Sequence, residues 1–116
     1  MHLTVIVHTP PYSTEDLDTA YHLIKAFVKR GNTCTLYLYG DAVIAVNKNT
    51  RLSRSDRFIP GMIGELVKMG VEVLACGACM QYRGMKREDI IDGVKLAGLA
   101  TLGESSAKAD RLINLI

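Results

Sequence analysis

The chain has 116 residues, of which 48% are hydrophobic and 22% charged, and its formal net charge is +2. These values are typical of an ordinary globular protein, and we expect residues 1–116 to form a single domain. The small charge argues against direct nucleic-acid binding, and no apolar run approaches the roughly 20 residues that span a membrane. Since no signal-peptide pattern opens the chain, we expect a cytoplasmic protein with reduced cysteines.

The first part of the chain alternates strand and helix patterns. Residues 3–8 form an apolar run rich in Val and Ile, which is typical of a strand buried on both faces. After a proline pair, Ser13 is the predicted N-cap of a helix whose apolar residues recur at helical spacing until Lys29. The β-branched and aromatic residues 33–39 predict a second strand.

The middle of the chain contains one segment of undetermined type. Residues 42–46, AVIAV, fit neither pattern and offer apolar surface that an assembly could bury, whereas the polar and basic residues 47–57 predict an exposed loop. Residues 58–69 predict an amphipathic helix with Pro60 near its start. The apolar residues 71–75 then predict a third strand.

Four short patterns complete the chain: a helix near 87–91, a strand at 94–98, a helix at 98–109 and a strand at 111–116. Strands that alternate with helices predict an α/β layered fold with a mainly parallel sheet flanked by helices. Sites in such sheets gather beyond the carboxyl ends of the strands. The His8–Tyr12 loop and Cys76, which follow the first and third strands, are therefore expected at one edge.

Cys76 and Cys79, in the segment ACGACMQYRGM, are two thiols three residues apart. A structural zinc site needs four Cys or His ligands, usually in two close pairs, and the chain has no second pair, so we predict no metal site. A dithiol redox pair fits the spacing, although the order of elements differs from that of thioredoxins. A further interpretation is that Cys76 and Cys79 are small buried side chains without a chemical role. This is the interpretation that we favour for Cys34.

A persulfide carrier is a third interpretation of the thiols. Transfer of sulfane sulfur needs a reachable thiolate that holds an S–SH group and is later attacked by another thiol. Backbone N–H groups at a strand-to-helix turn and nearby cations favour such a thiolate. Arg83, Lys86 and Arg87 follow Cys76 and are the candidate cations. The residues alone leave the persulfide, dithiol and buried interpretations open.

Other polar residues are weaker candidates. His8 could pair with the Cys76 thiolate, while Tyr12 and Asp41 lie in loops expected at the same edge. Four basic residues of the polar loop form either a solvated surface or a docking patch for an acidic partner: Lys48, Arg51, Arg54 and Arg57.

The order of these segments resembles the DsrE/DsrF-like family, and within it the TusD/DsrE type of sulfurtransferase subunit. The similar stretches are TPPYS, KRGN, YLYGDAV, GVEVLACGACMQYRG and GLATLGESSAKADRLINLI, which together extend over nearly the whole chain. The resemblance implies a five-stranded α/β fold and a cytoplasmic protein that forms homotrimers, homohexamers or hetero-oligomers with sister subunits. It also implies a cysteine persulfide that relays sulfur to or from a small carrier protein.

The resemblance also implies the site residues. The active cysteine of the family follows the third strand, seven residues before the Arg of an Arg-Gly pair, which matches Cys76, Arg83 and Gly84. Cys79 departs from that pattern and would resolve the persulfide into a disulfide, share the sulfur, or pack. We expect Cys76 to carry the persulfide, Arg83 and backbone amides to stabilise its thiolate, and no cofactor to be needed. The alternatives are a dithiol oxidoreductase that uses Cys76 and Cys79, or a non-catalytic subunit.

Overall fold

The computed structural model describes residues 1–52 and 57–116. Within these ranges the chain forms five strands: β1 (His2–Val7), β2 (Thr33–Leu38), β3 (Glu72–Cys76), β4 (Lys95–Ala97) and β5 (Arg111–Leu115). The α-helices described are α1 (Asp16–Lys29), α2 (Ile59–Lys68), α3 (Gly77–Gln81) and α4 (Leu99–Lys108), and 3₁₀ helices span Gly40–Val46 and Arg87–Asp89. None of these helices is both long and apolar enough to cross a membrane.

The five strands pair in parallel in the order β4-β3-β2-β1-β5. The chain advances from β1 to β4 and then returns to β5, so right-handed crossovers place α1 and α2 on one face and α4 on the other. Contacts of α1 with α2, and of α4 with β1 and β4, agree with this arrangement. The predicted five-stranded parallel sheet flanked by helices is confirmed.

Aliphatic side chains fill the space between the sheet and the first two helices. Val5, Ile24, Leu36 and Leu66 are completely buried there, and burial of each such side chain contributes about 1.5–3 kcal/mol. The 3₁₀ helix Gly40–Val46 adds four buried apolar residues to this core and leaves Ile44 exposed. The expectation that AVIAV offers surface for assembly is therefore wrong, because the segment folds back onto the sheet.

The face of the sheet that α4 covers is more polar. The hydroxyl of Thr4 donates to the carbonyl of Ser105 over 3.0 Å, and that of Tyr37 donates to the carbonyl of Gly98 over 2.9 Å. These bonds attach the sheet to both ends of α4, which buries none of its own residues. This layer therefore depends on hydrogen bonds more than the opposite layer does.

Two local predictions differ from the structure. The helix α1 begins at Asp16 with Glu15 as its N-cap, so Ser13 lies outside it, and the Thr14 hydroxyl accepts the Asp16 N–H over 3.3 Å. Near residue 87 the predicted short helix is a single 3₁₀ turn, Arg87–Asp89. The centre of the predicted polar loop, which includes Arg54, lies outside the described ranges.

Candidate functional site

Three segments meet around Cys76 and Cys79 at the carboxyl edge of the sheet. Cys76 is the last residue of β3 and the N-cap of α3, and Cys79 lies inside α3. The 3₁₀ helix Gly40–Val46 starts just beyond β2 and contacts both β3 and α3. The topology therefore brings the two thiols together with the end of the neighbouring strand.

Each of the two sulfur atoms accepts a backbone N–H. The N–H of Cys79 donates to Sγ of Cys76 over 3.4 Å, and the N–H of Gly40 donates to Sγ of Cys79 over 3.3 Å. Gly40 has φ of 59°, in the left-handed region where glycine is favoured because a side chain would be strained. The conformation of Gly40 is thus part of the geometry that supplies an N–H to the second sulfur.

Both thiols are buried and unbridged, with Cys76 5% and Cys79 8% exposed. Burial raises the pKa of Cys76 above its ordinary value, and the adjacent Cys79 thiol adds to the rise, while backbone N–H groups of Ala78 and Cys79 oppose it. At neutral pH Cys76 is therefore held mainly as a thiol. Its N–H donors are already in place for the thiolate that forms when the proton leaves.

Arg83 contacts this site through the backbone of Cys79. Its Nη1 donates to the Cys79 carbonyl over 2.9 Å, and its Nε and Nη2 donate to Oδ1 of Asp41 over 2.9 and 2.7 Å. Arg83 thus ties α3 to the 3₁₀ helix after β2. Its expected action on the Cys76 thiolate stays a prediction, since these bonds go to Asp41 and Cys79.

Tyr37 is a site residue that the sequence did not single out. Its side chain is completely buried in β2, and its partner in β3 is Leu74, two residues before Cys76 on the same face. Burial raises the pKa of Tyr37 to about 12, and the neighbouring thiols of Cys76 and Cys79 contribute to the rise. A tyrosine within an otherwise apolar central strand was the available signal, because its hydroxyl needs a buried partner.

The side chains of the other candidates are held by partners other than the thiols of Cys76 and Cys79. Nε2 of His8 bonds Oδ1 of Asn114 over 2.6 Å, so His8 pairs with β5. The Tyr12 hydroxyl accepts the N–H of Ile59 over 3.1 Å, which makes it a tether for the start of α2. Cys34 is 3% exposed in the core, as expected.

The candidate basic residues Arg57, Lys86 and Arg87 lie in two different surroundings. Arg57 pairs with Asp18 over 2.6 Å. Lys86 and Arg87 line a cavity of 370 Å³ beside α3 that also reaches Gly77, the residue after Cys76. In the described part of the chain, no three His, Cys, Asp or Glu side chains come together as metal ligands would. Two cationic side chains thus line the cavity that begins at the residue after Cys76.

Comparisons with known proteins identify the family of the chain. A model described as the DsrE/DsrF-like family matches residues 1–115. The chain is 28% identical to the putative sulfurtransferase DsrE of Allochromatium vinosum, with 97% of each chain covered. It is 25% identical to sulfurtransferase TusD of Serratia proteamaculans, covering 94% of this chain and 95% of that one. The crystal structure of YchN from Escherichia coli matches with a TM-score of 0.88 at 28% identity, covering 99% and 100% of the two chains. The names of the first two relatives support a role in sulfur transfer.

Proposed function

This chain belongs to the DsrE/DsrF-like family, as its sequence resemblance indicated, and we propose that it carries sulfane sulfur as a persulfide on Cys76. The persulfide would be passed to or from the thiol of a partner protein. The observation that supports this proposal is the position of Cys76 at the end of β3, with its sulfur accepting the N–H of Cys79. A donor at that place stabilises negative charge on the sulfur each time a sulfur–sulfur bond forms or breaks.

Two substitutions at sulfur make up the proposed reaction. In loading, the Cys76 thiolate attacks the outer sulfur of a donor persulfide, the donor's S–S bond breaks, and the donor leaves as a thiolate. In delivery, an acceptor thiolate attacks the outer sulfur on Cys76, and the Cys76 thiolate leaves. Neither step consumes an oxidant or a reductant. The N–H of Cys79 stabilises the Cys76 thiolate when that thiolate is the nucleophile in loading, and again when it is the leaving group in delivery.

The approach of a partner is restricted by burial. Since Cys76 is only 5% exposed, we propose that a docked carrier protein opens the site from the cavity beside α3. Lys86 and Arg87 line that cavity and would attract a carrier with acidic residues near its thiol. A reducing cytoplasm would keep both thiols available for this exchange.

We also propose that the protein forms a homotrimer or homohexamer, or joins sister subunits, through the region around α4. The helix α4 buries none of its own residues, and its first residue, Leu99, is 68% exposed. Burial of this exposed apolar side chain favours a partner that covers α4. Light scattering measures the assembly, and Leu99→Glu should lower its mass; an unchanged mass would place the interface elsewhere.

The test of persulfide transfer is to treat the full chain with a sulfane-sulfur donor and weigh it intact. Wild-type protein, weighed immediately after loading, and the Cys79→Ser variant should gain about 32 Da, one sulfur atom. Cys76→Ser should gain nothing. Mapping of the adduct to Cys79 alone would assign the carrier role to the other thiol and contradict the proposal for Cys76.

A dithiol oxidoreductase is the second candidate, since the backbone N–H of Cys79 bonds the sulfur of Cys76 and so keeps the two cysteines adjacent. It predicts that either Cys→Ser change abolishes reduction of a protein disulfide. The persulfide carrier instead predicts that only Cys76→Ser abolishes sulfur uptake. A reduction potential of the pair well above the cytosolic poise would favour the oxidoreductase.

A further inference from the structure

We infer that Cys79 is a resolving thiol, which attacks the loaded Cys76, releases hydrosulfide and closes a Cys76–Cys79 disulfide. With a dithiol reductant to reopen that disulfide, the protein would be a sulfane-sulfur reductase as well as a carrier. The inference rests on the proposed function, because it starts from a persulfide on Cys76. It assigns a chemical role to the one thiol that departs from the family pattern.

The spacing of the two residues suits the disulfide. Cys76 is the N-cap of α3 and Cys79 follows three residues later, and the N–H of Cys79 reaches Sγ of Cys76 over 3.4 Å. Side chains three apart on a helix are neighbours, with about 5–6 Å between Cβ atoms, and a disulfide needs about 3.5–4.5 Å. A small shift at the start of the five-residue helix α3 closes that difference, because Cys76, which precedes the helix, has an extended backbone that the helix does not constrain.

The surroundings of Cys79 prepare it to attack. The Gly40 N–H lies 3.3 Å from its sulfur, where it stabilises the thiolate that acts as nucleophile. Arg83 donates hydrogen bonds to the Cys79 carbonyl and to Asp41. Asp41 is the residue next to Gly40, so Arg83 also fixes the segment that carries the Gly40 N–H. Cys79 is therefore positioned by bonds on both its sulfur and its backbone.

Burial decides which thiol reacts first. With Cys76 5% and Cys79 8% exposed, an external acceptor reaches the persulfide only when the site opens. Cys79 is already beside it, and an intramolecular thiol acts at a high effective concentration. Transfer to a docked carrier and release of sulfide are then competing outcomes of one loaded state, with Cys79 responsible for the second.

The atoms and electrons of the step balance. The Sγ–Sγ bond between Cys79 and Cys76 forms, and the bond from Cys76 Sγ to the outer sulfur breaks. The outer sulfur leaves with the bonding pair and is reduced to hydrosulfide, while the two cysteines are oxidised to the disulfide. The proton lost from the Cys79 thiol accompanies the sulfide. A dithiol reductant later restores both thiols and becomes a disulfide itself.

The experiment is a single turnover without reductant. The full chain is loaded with inorganic polysulfide, separated from excess reagent, and followed by intact mass and by trapping hydrosulfide with a bimane. Wild-type protein should change from about 32 Da above to about 2 Da below its reduced mass, with one hydrosulfide released per loaded chain. Cys79→Ser and Cys79→Ala should keep the added sulfur and release at least tenfold less hydrosulfide. Cys34→Ala is the matched control and should behave as wild type.

The outcomes separate this inference from the proposed function. A wild-type persulfide as long-lived as that of Cys79→Ser, with no hydrosulfide, would overturn the resolving role and leave the carrier role intact. Failure of both Cys79 variants to hold sulfur on Cys76, although circular dichroism shows them folded, would overturn the carrier role itself. Hydrosulfide released equally by wild type and both variants would also contradict a role for Cys79.

Discussion

Arg83 and Asp41 form an ion pair that bridges two elements far apart in sequence, with 2.7 Å between Nη2 and Oδ1. The pair joins α3 to the 3₁₀ helix that follows β2, and a third bond of Arg83 reaches the Cys79 carbonyl. Both side chains are partly exposed, so the pair itself contributes only about 0–1 kcal/mol to folding. Its main consequence is positional, because it fixes the segment that presents the Gly40 N–H to Cys79.

We expect Arg83→Lys to slow hydrosulfide release from the loaded protein about threefold to tenfold, the equivalent of about 0.6–1.4 kcal/mol. A lysine cannot donate to Asp41 and to the Cys79 carbonyl with one planar group. The free energy of unfolding, measured with urea, should fall by less than about 1 kcal/mol. Asp41→Asn and the double variant complete a cycle, and additive effects would show that the pair does not act as a unit.

Gly40→Ala tests the N–H that reaches the second thiol. Both Gly40 and Gly31 have positive φ, 59° and 88°, so alanine at either place should cost about 1–2 kcal/mol. A Cβ at Gly31 meets nothing within 4 Å, which makes Gly31→Ala a control for strain alone. Only Gly40→Ala should alter the rate at which Cys79 reacts with iodoacetamide, as read by peptide mass spectrometry. Equal reactivity of Cys79 in Gly40→Ala and Gly31→Ala would show that Gly40 has no role in the environment of Cys79.

The reactivity of Cys76 should depend on pH in a defined direction. Burial and the Cys79 thiol raise the pKa of Cys76, so its alkylation should stay slow at pH 7 and increase only above the ordinary thiol range near pH 8.5. Cys79→Ala removes one cause of the rise and keeps the backbone N–H, so its profile should move to lower pH. A wild-type inflection below that of the urea-unfolded chain would contradict the assigned environment.

Cys34 should make the fold sensitive to alkali. Burial raises its pKa to about 11, so the folded state favours the thiol and the unfolded state ionises first. Its contribution to stability is complete below the unfolded pKa of about 9 and is lost as the pH rises to about 11, a loss on the order of 2 kcal/mol. Urea titrations of Cys34→Ala should show a smaller decline than wild type between pH 8.5 and 11. Parallel declines would show that other groups cause the loss.

The sequence predicted the strands well because their signal is local. Apolar runs with Val and Leu identify β1 and β3, and β-branched and aromatic residues identify β2, without knowledge of their neighbours. The five residues of α3 are too few to show helical periodicity, so that helix was not predicted. The Gly40–Val46 segment was ambiguous for a related reason, since it is apolar on nearly all sides and only the tertiary fold determines its 3₁₀ form.

The site was predictable in position but not in its contacts. The sequence pattern placed Cys76 at the carboxyl end of a parallel strand, and the structure puts it there. The bonds of Arg83 to Asp41 and of Gly40 to Cys79 join residues 42 and 39 positions apart. Such partners depend on the register of β2 against β3 and on how α3 turns away from the sheet. The local pattern of a single sequence contains no signal for this register or for the direction of α3.

The depth at which the two sulfur atoms lie also limits damage. Thiols that meet peroxide pass through sulfenic acid to sulfinic acid, from which ordinary cellular thiols cannot recover them. Because Cys76 and Cys79 are almost completely shielded from water, peroxide in solution has little access to either thiol in this conformation.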